Sequence, residues 1–195
     1  MTWQSVFNPF SRYSEKQLFF VGFVFLIVNS IVCFFTKTQM DSILHFTPNS
    51  TLSLQTAFLF VIISCSTATL FLFLIALLIN KRTRFIDIVT TVLISQVPNF
   101  FILLVTKFSG MNEVAKKFTT VSTNKMTTFE TADILLLFVF SLIVLAFVVF
   151  EMVLLYNGFK TATNFKKWYH ISLFVISSLF FMLLHQVYVP TLLNN

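Results

Sequence analysis

Few side chains able to do chemistry stand inside the long apolar stretches of this 195-residue chain, and their positions are unusual. Asn29, Asp87, Ser95, Gln96, Asn99 and Glu151 lie within or beside runs otherwise built of leucine, isoleucine, valine and phenylalanine. Asp87, Thr91, Ser95 and Asn99 are spaced four apart, which sets them on one face of a helix. Gln96 broadens that face, and Val92, Leu93 and Val97 fall on the other. Counting about 1.5 Å per residue from an entry near Ile86, Gln96 lies about 15 Å in. Pro98 cannot donate to the carbonyl of Ile94, so a kink is expected, with Gln96, Asn99 or a neighbouring helix supplying the missing donor. Such a face can hydrogen-bond other helices, or it can line a solute pathway. A structural kink is the favoured reading.

Glu151 is the most costly of these residues to place in hydrocarbon. Its distance from Tyr156 puts it about 8 Å deep, where Arg82, Arg84 or Lys160 could reach it to form an interface ion pair. His185 is expected at the opposite interface. In "SCSTAT", Ser64 and Ala68 make a small-xxx-small pair that permits close helix approach. Cys33 and Cys65 lie in apolar runs and read as buried thiols. Enzyme chemistry finds no support. The three glycines (Gly22, Gly110, Gly158) make no phosphate-cradling loop, and His45, His170 and His185 are scattered without metal-ligand spacing. No catalytic residue, cofactor or metal site is expected.

The elements that must position these residues follow from composition. The chain is 57% hydrophobic and 10% charged, with a mean hydropathy of +0.89, whereas a soluble domain carries about a quarter charged residues. Apolar runs over about 18–35, 54–79, 86–105, 132–156 and 169–188 each approach the roughly 20 residues that a spanning helix needs. Because lipid offers no partner for backbone N–H and C=O groups, continuous runs of this length fold as helices despite 28 phenylalanines. The expected fold is an all-α, polytopic five-helix bundle forming a single membrane domain over 1–195. The first run is too long for a signal peptide and lacks a cleavage site.

Basic residues set the orientation. Arg12 and Lys16, then Lys81, Arg82 and Arg84, then Lys160, Lys166 and Lys167 fall on one side. Lys37, Lys107, Lys116, Lys117 and Lys125 fall on the other, spread over longer loops with Asp41, Glu113 and Glu130. The N-terminus is therefore expected inside and the C-terminus outside. The net charge of +6 reads as juxtamembrane charge facing anionic headgroups, with no nucleic-acid partner. The sequon at Asn49–Thr51 is given no weight.

The short tail with "FNPFSRY", the third run "FIDIVTTVLISQVPNFF" and the link "LLYNGFKTATNFKKW" together resemble the Yip (Ypt/Rab-interacting protein) family, in its compact bacterial branch. The resemblance covers nearly the whole chain and rests on Asn8–Pro9, Pro98 and Asn157–Gly158 before a basic loop. It implies a five-helix membrane bundle with N inside and C outside, in a bacterial cytoplasmic membrane. For partners it implies the lipid bilayer, further copies of the chain or other membrane proteins. For the eukaryotic branch the resemblance implies Rab GTPase binding, and those proteins usually carry a long cytosolic N-terminal region with a DLYGP-like motif. Only 17 residues precede the first run here and that motif is absent, so Rab-type binding is not carried over. The function expected is non-enzymatic membrane organisation through lipid or membrane-protein association. The alternative is a small transporter or channel lined by Asn29, Ser95, Gln96, Asn99 and Glu151.

Overall fold

A computed structural model describes residues 3–109 and 131–193. The lysines at 116, 117 and 125, the acids at 113 and 130, and both ends of the expected 1–195 domain lie outside the described residues. The chain opens with a short helix, α1 (Trp3–Phe7), and a 3₁₀ turn (Pro9–Ser11), followed by α2 (Glu15–Thr36). Strands β1 (Thr38–Ser42) and β2 (His45–Pro48) precede α3 (Leu54–Ile79), α4 (Phe85–Ser95) and α5 (Val97–Phe108). Two long helices, α6 (Thr131–Thr163) and α7 (Trp168–Leu193), complete it. Five helical segments among the described residues are long and apolar enough to cross a membrane: α2, α3, the α4–α5 pair, α6 and the Trp168–His185 part of α7.

Local chemistry sets several of these ends. Ser14 and Gln17 form a reciprocal capping box at the start of α2, each side chain bonding the other's backbone N–H. Ser53 caps α3 by accepting from the Thr56 N–H. At the far end of α2, Lys37 adopts a left-handed conformation, φ 53°, that few residues other than glycine take. Its side chain donates to the Leu52 carbonyl at 2.8 Å, and its Nζ lies 4.4 Å from the centre of the Phe34 ring, which together hold the turn.

The third span is the centre of the bundle. Its α4 half packs between α2 and α6, and two glycines permit the approach. A Cβ on Gly22 would stand 2.6 Å from Leu93 Cβ and 3.1 Å from the Leu93 backbone carbon, and one on Gly158 would stand 2.6 Å from the Thr91 side chain. Val92, Leu93 and Ile94 are therefore as buried as the polar stripe beside them. The side carrying Val92 and Leu93, opposite the polar stripe, is covered by neighbouring spans as well, while Phe85 at the start of α4 stays exposed.

The all-α expectation is corrected at residues 38–48. There the chain forms an antiparallel hairpin pairing Thr38 with Pro48, Gln39 with Thr47, Met40 with Phe46 and Ser42 with His45, with an irregularity between Met40 and Ser42. This is no surface loop, since Met40, Asp41, Ser42 and Ile43 are all buried. The hairpin re-enters the bundle from the end opposite the N-terminus. Non-helical backbone at such depth is tolerated only where protein covers it. Strand pairing satisfies part of the backbone and side chains from three spans bond other carbonyls. A stripe of small and apolar residues on α3, including Ala57, Val61, Ser64 and Ala68, admits β1.

A second boundary also moves. Residues 157–163, expected as part of a loop, continue α6, and the turn into α7 is confined to 164–167 with Asn164 at φ 51°. The N-terminal segment closes over this extension: Asn157 Nδ2 donates to the Phe7 carbonyl at 2.8 Å, and the Phe7 and Phe150 rings meet edge-on at 5.4 Å. The Gly22 contact yields a direct expectation. Gly22→Ala sets a methyl against the α4 backbone and should lower stability by about 1–3 kcal/mol. Reversible unfolding in mixed micelles measures this, and an unchanged midpoint would refute the close α2–α4 approach.

Candidate functional site

The polar residues of the third span meet at the break between α4 and α5. Gln96 is the single residue separating the two helices, at φ −78°, ψ −4°. Pro98 occupies the first turn of α5, where a missing N–H costs nothing. The kink expected from Pro98 is present, although the cross-helix donor comes to a different carbonyl: Asn29 Nδ2 from α2 donates to the Gln96 carbonyl at 2.9 Å.

The Gln96 side chain extends the network in two further directions. Its Nε2 donates to Glu151 Oε1 on α6 at 2.9 Å and to Ser95 Oγ at 3.2 Å. Its Oε1 accepts from Asn99 Nδ2 at 2.8 Å. Asn99 Nδ2 also reaches the Ile43 carbonyl at the hairpin tip at 3.1 Å, and Glu151 Oε1 at 3.4 Å. Asn29, Ser95, Gln96, Asn99 and Glu151 are each at most 1% exposed. One residue thus links the first, third and fourth spans, and through Asn99 the hairpin.

Glu151 requires a correction. The interface ion pair with Arg82, Arg84 or Lys160 is not formed, for a geometric reason. Because α6 runs on to Thr163, Glu151 lies twelve residues, or about 18 Å, from that end. Snorkelling cations do not reach that depth. Lys160 instead places its Nζ 5.8 Å from the Tyr156 ring centre, and Arg84 binds Asp87 and Glu15. Around the network three buried oxygens, Asn29 Oδ1, Asn99 Oδ1 and Glu151 Oε2, have no hydrogen-bond partner.

The hairpin carries a second set of contacts that the sequence reading did not anticipate. Ser64 Oγ donates to the Met40 carbonyl at 3.0 Å. His185 is buried rather than interfacial: Nδ1 lies 2.7 Å from the Asp41 carbonyl and Nε2 meets the Thr67 hydroxyl. The buried Asp41 carboxylate accepts from Gln39 and Thr47. His45 Nδ1 lies 3.3 Å from Asp41 Oδ2, close enough for an ion pair when the ring is protonated, without hydrogen-bond alignment. Asn49 of the sequon turns inward, with Nδ2 on Gln39 Oε1 and Oδ1 accepting from Thr51. The available signal was an ionisable His185 in an apolar span combined with a polar inter-span segment.

Asp87, the remaining stripe residue, stands apart from the midplane network at the N-terminal end of the bundle. Arg84 donates to both its oxygens, at 3.1 and 2.6 Å, and also to Glu15 of α2. Bonding to Asp87 first, and then to Glu15, holds the guanidinium pKa above its usual value. These residues border a cavity of about 270 Å³ that Tyr13, Thr90 and Thr91 also line. No group of three or more His, Cys, Asp or Glu side chains suited to a metal ion occurs among the described residues.

Comparison of the chain with protein-family models, curated proteins and solved structures returned no match. The network itself yields a measurable expectation. In a double-mutant cycle of Gln96→Leu and Glu151→Leu, the coupling free energy should be about 1 kcal/mol, at the upper part of what intramembrane hydrogen bonds contribute. Strict additivity of the two losses in micellar unfolding would show that the bond does not tie the spans.

Proposed function

We propose that the chain is an integral membrane protein of the Yip type, non-enzymatic, with its N-terminus inside and its C-terminus outside a bacterial cytoplasmic membrane. It acts in membrane organisation by associating with lipid, with further copies of itself or with other membrane proteins. The observation that carries this reading is how the midplane polar groups are used. Asn29, Gln96, Asn99 and Glu151 bond to one another or to the hairpin backbone, so they hold spans together. What the bundle presents outward is largely apolar: Leu135, Phe138, Leu142 and Leu145 on α6, and Ile176, Phe180 and Leu183 on α7, are exposed. The resemblance gains support from the meeting of two of its anchors, since the segment around Asn8–Pro9 packs on Asn157–Gly158.

A second reading, a small transporter or channel, is favoured by the three unpartnered buried oxygens around Gln96. Acceptors without donors at mid-depth are what a passing hydrated solute would meet. The two readings separate by labelling. In a background of Cys33→Ala and Cys65→Ala, single cysteines at positions 29, 95, 96, 99 and 151 should stay protected from a membrane-impermeant thiol reagent. Labelling at several of these positions from one side would replace the first reading with the second. A reporter fused after Asn195 should be active only on the outer side, and activity confined to the cytoplasm would reverse the orientation.

A further inference from the structure

The cavity at the N-terminal end of the bundle has features that neither the midplane network nor the packing of spans explains. Its charged lining is two carboxylates, Glu15 and Asp87, and one guanidinium, Arg84, so the formal balance is −1. A single arginine bridges both acids through Nε and Nη2, and Nη1 takes no part in those bonds. Each carboxylate has lone pairs beyond the ones the arginine occupies.

The second observation is a hydroxyl. Thr91 and Thr161, which line the same cavity, donate to the helix carbonyls of Asp87 and Asn157. Thr90 lines it as well, is 3% exposed, and its Oγ1 has no hydrogen-bond partner. A buried polar atom left unbonded costs about 1–3 kcal/mol. In the buried wall of a cavity lined by charged groups, that atom is suited to a ligand.

Shape and depth narrow the ligand. About 270 Å³ greatly exceeds the roughly 30 Å³ share of one water, so the space fits a small organic group rather than a bare ion. Phe10 and Tyr13 also border it, and aromatic rings beside a cation are compatible with binding it. Glu15 and Arg84 sit at the start of two spans, and Phe20 and Phe85, nearby in sequence, are exposed at 67% and 47%. The cavity therefore opens where apolar surface gives way to charge, at headgroup level.

We propose that this cavity binds a primary ammonium group, carried by the headgroup of phosphatidylethanolamine. The ammonium donates to the Asp87 and Glu15 carboxylates and to Thr90 Oγ1, offsetting the excess carboxylate locally, while Arg84 Nη1 faces the phosphodiester. A choline headgroup has the charge but no N–H to donate, and a glycerol headgroup has no cation. The assignment rests on the lipid association put forward above and names its ligand. The same chemistry can come from a soluble amine such as phosphoethanolamine.

The test is lipid retention by the purified full-length protein, read by native mass spectrometry after exchange into equal mole fractions of phosphatidylethanolamine, phosphatidylcholine and phosphatidylglycerol with identical acyl chains. The wild-type protein should retain the ethanolamine lipid about tenfold over the other two, the discrimination expected of one charge-assisted bond. Thr90→Val, which keeps shape and folding, should reduce that preference several-fold, and Asp87→Asn should abolish it. A hydroxyl with only a packing role would alter the melting point in Thr90→Val and leave lipid selectivity intact, which overturns the proposal. Equal retention of all three lipids, with no displacement by millimolar phosphoethanolamine, also overturns it. Displacement by phosphoethanolamine without lipid selectivity supports the ammonium site and assigns it to the soluble amine. Total retained lipid of any class measures the broader reading separately, so selectivity can fail while lipid association stands.

Discussion

The arrangement depends on one constraint: a helix interrupted in the middle of an apolar bundle must have its freed backbone groups satisfied by its neighbours. Gln96 is where the interruption falls, and its carbonyl is met by Asn29 of another span at 2.9 Å. The same residue then uses both ends of its side-chain amide, donating to Glu151 and accepting from Asn99. An amide is suited to this position because it donates and accepts without carrying charge. A carboxylate at 96 would set two acids against each other, and a lysine would bring an ammonium to a depth that snorkelling cannot relieve.

The re-entrant hairpin follows from that break. With α4 and α5 offset at Gln96, Asn99 can turn its amide toward the Ile43 carbonyl. The hairpin tip thereby reaches the polar layer, while Ser64 and His185 hold Met40 and Asp41 further along. All five spans contribute directly to the network or the hairpin. The hairpin occupies space that a longer helix–helix contact would otherwise fill, and α7 accordingly packs on α3 and β1. Much of the outward surface of α6 and α7 is left apolar.

Much of this is legible in the sequence. Apolar run length sets the number of spans and, for Leu54–Ile79, both ends. The four-residue spacing through Ser95 and Asn99 identifies the buried face, and Pro98 marks the break. The hairpin is not legible, because Thr38 to Pro48 reads locally as a polar connection, and its burial comes with carbonyl partners at Ser64, Asn99 and His185, between 24 and 144 residues away in sequence. The placement of Glu151 fails for a related reason: Tyr156 and Asn157 read as an interface, yet α6 continues because Asn157 and Gly158 are covered by the N-terminal segment. Spacing sets Val92 and Leu93 opposite the polar stripe without saying what covers them, and Gly22 and Gly158, which bring α2 and α6 close, signal such packing only once their neighbours are known.

The stripe from Asp87 to Asn99 shows how one helical face serves two dielectric settings. At its lower end Asp87 holds a fully charged bridge with Arg84, an exposed side chain whose charge water can screen. About 18 Å along the helix, Asn99 belongs to a network of amides with a single carboxyl group and no cation against it among the described residues. The order cannot be exchanged. An arginine at mid-depth would lose its hydration without a phosphate or water to replace it, and an amide at the interface would offer a headgroup no charge. The glycine contacts clamp α4 on both sides between these points, so the register that brings Gln96 to Glu151 also fixes Asp87 and Thr90 beside the N-terminal cavity. Packing of the midplane and the shape of the interfacial site are therefore set by the same helix.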